Sequence, residues 1–287
     1  MNNHKISTSR ILHAPLIRII CGLIICIAIN ILLQFLITEA LGHTAFDHTI
    51  KSIIKGLLVS SIFICGYICF YSWYEKRSIT EFSSKKISIY ICTGFLAGCL
   101  LQGLTVFVIR INGGFHIISV NRWTNLWPLV FSGAAIAILE ETLFRGIIFR
   151  ITEEKLGTYL ALFISAVLFG ALHLINPNSS IASAFAITVE GGLMLGAAFI
   201  YSRNLWFPIA IHFAWNFTQT GIFGAITSGN ILHESLLTSS ISGSNLITGG
   251  PFGPEGSIQA MLFCFIAAVV LLVLSHYQKK IIPFNKK

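Results

Sequence analysis

The stretch "LIRIICGLIICIAINILLQFLIT", residues 16–38, carries one arginine and no acidic residue. A run of this length is long enough to cross a ~30 Å hydrocarbon core as a helix rising 1.5 Å per residue. It exceeds the roughly 7–15 apolar residues of a signal peptide and ends without a small-x-small cleavage site, so it reads as a retained span.

The rest of the chain repeats the pattern. Apolar runs fall near residues 15–38, 52–73, 87–109, 127–149, 158–175, 181–201, 205–225 and 258–276. Of the 287 residues, 55% are hydrophobic and only 10% charged, with a mean hydropathy of +0.80. A soluble domain carries about a quarter charged residues. The expected fold is therefore all-α, a polytopic membrane bundle of about eight transmembrane helices. No internal repeat or soluble domain interrupts it. The chain divides into residues 1–126 with the first three spans, 127–225 with four core spans, and 226–287 with a long loop, the last span and a basic tail.

The net charge of +8 would suit nucleic acid if it were clustered, but the 19 basic residues follow the topology instead. With eight spans and an internal N-terminus, Lys51, Lys55, Arg110 and Arg122 fall outside and Arg145 lies within a span. The remainder fall inside, among them Lys5, Arg10, Arg18, Arg77, Arg150, Arg203, Lys280, Lys286 and Lys287. This positive-inside bias predicts cytoplasmic termini and a plasma membrane location, with attraction to anionic lipid rather than to nucleic acid. All seven cysteines sit in predicted spans with no CxxC pair, and read as small reduced core residues. Two connections stand out. Residues 110–126 lead to Trp123 and Trp127, which suit an interfacial belt, and the Gly/Ser-rich 228–257 is either a flexible external loop or a lid.

A charge in mid-bilayer costs at least ~2.5–3.5 kcal/mol, so each ionisable group in a span is a functional candidate. "AILEETLFRGIIF" at 137–149 holds three. Glu141 and Arg145 are four apart on one helix face and pair. Glu140 is turned about 100° away, with only Phe144 one turn on, and so addresses another helix. In "AVLFGALHLIN", His173 follows Phe169 by four; in "PIAIHFAWNFTQ", His212 and Asn216 are i and i+4. Glu190 in "AITVEGGLMLGAAF" neighbours this site or a helix kink, and its glycines suit close helix packing. Counted from the assigned cytoplasmic ends, Glu140, His173, His212 and Asn216 lie about 10–22 Å deep, compatible with one mid-membrane level.

A carboxylate, two imidazoles and a carboxamide, with no Ser or Cys partnered to a base, argue against a covalent nucleophile. They suit water activated by Glu140 with His and Asn donors on the oxyanion. The same set can hold zinc through Glu140, His173 and His212, leaving a position open for water, although HxxxN is not the HExxH signature.

Three motifs in order, EExxxR as "EETLFR" (140–145), FxxxH as "FGALH" (169–173) and HxxxN as "HFAWN" (212–216), resemble the CPBP family of intramembrane proteases. That family includes the type II CAAX prenyl proteases, the bacterial Abi proteins and the lysostaphin-resistance-like proteins. "LWFPIAIHFAWNFTQTGIFG" and "GPFGPEGS" further resemble a bacterial branch. The resemblance implies a membrane-embedded peptide hydrolase, glutamate-type or metal-dependent, acting on a peptide or membrane-protein substrate. It implies Glu140 as water-activating base, Glu141 and Arg145 as supports, His173, His212 and Asn216 as substrate-polarising or oxyanion groups, and Phe169 as packing. The competing expectations are a non-catalytic immunity or scaffold protein that binds a membrane-active peptide, and a proton-coupled transporter. The transporter is disfavoured by the lack of repeat symmetry.

Overall fold

The computed structural model describes residues 14–231 and 234–284, so Lys5, Arg10, Lys286 and Lys287 of the charge argument lie outside the described residues. Helix α1 spans Pro15–Gly42, α2 His48–Tyr74 and α3 Ile87–Ile111. Proline opens α1, and the Asp47 carboxylate accepts from Ile50 N–H at the start of α2, the two devices that satisfy or remove orphan donors at a helix start.

Helix α4, Trp127–Glu141, passes directly into a π-helical segment, Thr142–Phe149, and then into α5, Arg150–Leu172. At Gly157 the backbone leaves helical space (φ 70°, ψ 171°), a left-handed φ that glycine adopts without a Cβ penalty. Beyond it the chain folds back, so that Ser165 reaches the Phe144 carbonyl at 3.4 Å and the Phe144 and Phe169 rings meet edge to face. Helix α6, Ile181–Ile187, is capped reciprocally by Ser180 and Ser183 and continues through a second π segment, Thr188–Met194, into α7, Leu195–Ser202. Helix α8, Trp206–Asn216, ends in a third π segment, Phe217–Ile222. A short α9, Asn245–Thr248, precedes α10, Ile258–Tyr277.

Among the described residues six helices are long and apolar enough to cross a membrane. One of them, Trp127–Ile175, runs 49 residues across the Gly157 break and holds two of the eight apolar runs. The run at 205–225 becomes α8 and its π extension. The molecule is thus an all-α polytopic bundle and an integral membrane protein, its apolar side chains exposed along the outer faces of α1, α2, α3 and α10.

At one end Arg18 pairs with Glu75 and Glu154, each at 2.6 Å; Arg77 pairs with Glu75 and Glu81; and Arg150 reaches Glu75 at 2.9 Å. Arg203 pairs with Glu153 nearby. Arg18, Arg77, Arg150 and Arg203 thus gather at one end of the bundle. At the other end the two irregular connections clasp each other: β1, Phe115–Val120, pairs antiparallel with β2, Leu237–Ile241. This small sheet was not legible as such in either loop alone. The long loop is tied to the bundle by Asn178 Nδ2, which donates to the Gly229 carbonyl at 3.4 Å, and by Gln259 Nε2 of α10, which donates to the Ile247 carbonyl at 2.6 Å, and its Phe252 is buried.

All seven cysteines are free, but only Cys26 and Cys264 are buried; Cys65, Cys69 and Cys92 lie on outer helix faces rather than in the core. A thiol is apolar enough to face lipid.

Candidate active site

The ion pair expected within one helix is present. Arg145 Nη1 donates to Glu141 Oε1 at 2.9 Å, and both side chains are fully buried. Arg145 Nη2 donates in addition to the Gly192 carbonyl at 3.1 Å and to that of Gly191, so one guanidinium joins α4 to the second π segment. Its Cζ sits 4.8 Å from the Phe169 ring centre.

Phe169 is the hub of the site. Its ring meets those of Phe144 at 4.7 Å, His173 at 4.8 Å and His212 at 6.3 Å. The backbone opposite comes so close that a Cβ added at Gly191 would overlap the ring, which is why that position carries glycine.

The same Glu141 oxygen also takes a hydrogen bond from His212. Nδ1 lies 2.9 Å from Oε1, and a carboxylate can only accept, so Nδ1 carries the proton. Nε2 is then the nitrogen turned to Glu140, 3.9 Å from its Oε2. The interhelical neighbour that the helical period predicted for Glu140 is thus a histidine on α8. At His173 the corresponding bond runs from Nδ1 to the Phe169 carbonyl at 2.8 Å, which again leaves Nε2 for a ligand.

Glu140, His173, His212 and Asn216 all line one cavity of about 450 Å³. Glu141 and Arg145 do not; they brace it from behind. Three of the helices that wall the cavity become π-helical next to a site residue: after Glu141, around Glu190 and after Asn216. Such segments shift the helical register locally and recur at functional sites.

Sequence reasoning left two contributors unassigned. Glu190 lines the cavity and lies inside the second π segment, so both readings of it hold together. Glu255, from "GPFGPEGS", lines it too; its carboxylate accepts from Ser228 N–H, and burial pushes it up to about 7, against the lowering effect of that hydrogen bond and of Trp215. The only sequence signal for Glu255 was an acidic residue among glycines and prolines in a loop.

If zinc is used, the expected ligands are Glu140, His173 and His212. Among the described residues no group of three His, Cys, Asp or Glu side chains is arranged to hold a metal ion, so these three share a cavity without forming one coordination sphere.

Residues 122–218, which contain every motif residue, match the family model described as Rce1-like, type II CAAX prenyl endopeptidase. No curated protein and no solved structure matches the chain.

Proposed function

We propose that the chain, whose residues 122–218 match the Rce1-like family model, is an intramembrane endopeptidase that hydrolyses a peptide or membrane-protein substrate with water activated by Glu140. The observation that carries the reading is the division of labour between adjacent carboxylates. Glu141 is fully buried and bonded to Arg145 and His212, whereas the Glu140 side chain is 30% exposed and opens onto the cavity.

In this mechanism the Glu140 carboxylate takes a proton from a cavity water as its oxygen bonds to the scissile carbonyl carbon. The carbonyl π pair moves to oxygen, and the resulting oxyanion is met by the Asn216 amide N–H and by the Nε2–H that His173 and His212 carry when their imidazoles are protonated. Glu140 then returns the proton to the leaving amine as the C–N bond breaks. By holding Nδ1 of His212, Glu141 ensures that protonation of this imidazole adds a donor at Nε2, on the cavity side.

The test is cleavage of a membrane-peptide library by purified protein, wild type against Glu140→Gln, with and without chelator. Loss of cleavage in a variant that inserts and folds is expected; full activity in it overturns the reading. Inhibition by chelator would bring a metal back into the mechanism.

A further inference from the structure

The cavity holds more carboxyl groups than hydrolysis requires. Besides Glu140 it is lined by Glu190 and Glu255, which are 3% and 2% exposed. Both oxygens of Glu190 are buried without a hydrogen-bond partner. Glu255 has the Ser228 N–H, and both carboxyl groups face the same cavity. The nearby cations are committed elsewhere. Arg145 is spent on Glu141 and the Gly191 and Gly192 carbonyls, and His212 on Glu141.

An unpaired carboxylate taken out of water costs several kcal/mol unless a donor or counter-charge meets it. Glu190, unpartnered in the π segment, and Glu255, with one N–H donor in the loop, both line a space that a substrate must enter. Glycine lets this segment lie close against α5: a Cβ on Gly192, two residues after Glu190, would meet Ala166 Cα at 2.6 Å.

We propose that Glu190 and Glu255 form a subsite for a cationic nitrogen of the substrate, an ammonium or guanidinium group, beside the Glu140–His212 centre. It rests on the protease reading in that the cation belongs to the peptide being cut. A cationic nitrogen offers several N–H donors to two acceptor-only carboxylates. A divalent cation would need further oxygen ligands in a fixed shell, and the described residues offer no group of three suitable side chains. The loop supplies one carboxylate and the bundle the other, so the subsite exists only with the loop folded over the cavity.

Two sources share this chemistry: a Lys or Arg side chain, and a free peptide N-terminus. Three probes separate them: Nα-acetyl-lysine N-methylamide, norleucine N-methylamide with its free α-amine, and Nα-acetyl-norleucine N-methylamide, which is neutral. Binding to the full chain in lipid nanodiscs is read by equilibrium dialysis. One cationic probe should bind about tenfold or more tightly than the neutral one, as expected for hydrogen bonds to charged groups. That preference should vanish in both Glu190→Gln and Glu255→Gln. Equal binding of all three probes by the wild type, or no binding of any, overturns the proposal, and so does competition for the site by magnesium or calcium in place of either amine. Hydrolysis is not read, so this result and the Glu140→Gln cleavage test fail independently.

Discussion

His212 Nδ1 and Arg145 Nη1 both donate to Glu141 Oε1, each at 2.9 Å, so one carboxylate oxygen links α8 to the buried guanidinium. Glu141→Gln removes the charge that compensates Arg145 in a fully buried setting. Breaking such a pair by deleting one partner costs about 3–5 kcal/mol. Glu140→Gln, at a partly exposed carboxylate with no short bond, should leave stability nearly unchanged. Thermal melts of the two variants in detergent should therefore separate clearly. Coincident melting temperatures would mean that Glu141 is no brace.

Arg145→Lys tests the fork rather than the charge. A lysine keeps the counter-ion for Glu141 but cannot reach both it and the Gly191 and Gly192 carbonyls with a planar guanidinium. Because Arg145 stands behind the cavity, the variant should lose kcat on a cleaved peptide while KM holds. A rise in KM alone would assign Arg145 to substrate binding.

Gly191→Ala should drive a methyl group into the Phe169 ring, on which His173 and His212 also pack. Overpacking of this kind costs about 1–3 kcal/mol. Gly103→Ala is the control, since a Cβ there meets nothing within 4 Å. The comparison is made by melting temperature, and equal tolerance at both positions would refute the close approach.

What could be read from the chain followed its local periodicities. The i,i+4 spacing of Glu141 and Arg145 gave their pairing, and the rotation of Glu140 away from them gave its different role. Nothing local could supply His212 as the shared partner of both glutamates, because that contact depends on how α8 packs across α4. The three π segments were equally hidden: the i→i+5 register has no residue signature and is set by packing. Glu190 and Glu255 line one cavity only because the loop folds back, bringing together residues far apart in sequence. The 110–126 and 228–257 connections looked separate because β-pairing between loops requires both partners.

The ion network at the far end predicts acid sensitivity. Burial alone would raise the Glu75 and Glu81 carboxyls, but Arg150, Arg77 and Arg18 around Glu75, and Arg77 and the Tyr67 hydroxyl on Glu81, outweigh it and hold both below their ordinary values. The folded form therefore releases these protons more readily than the unfolded chain. Their stabilisation is complete above the unfolded carboxylate range, near pH 4.3, and is lost as pH falls through the lower folded values. The wild type should melt progressively earlier below about pH 4.5. Glu75→Gln should start less stable at pH 7, since it removes the carboxylate shared by Arg18, Arg77 and Arg150, and should lose less on acidification. Melting curves between pH 7 and pH 3 decide it: a wild type and variant that fall in parallel would show that Glu75 contributes nothing to the acid limb.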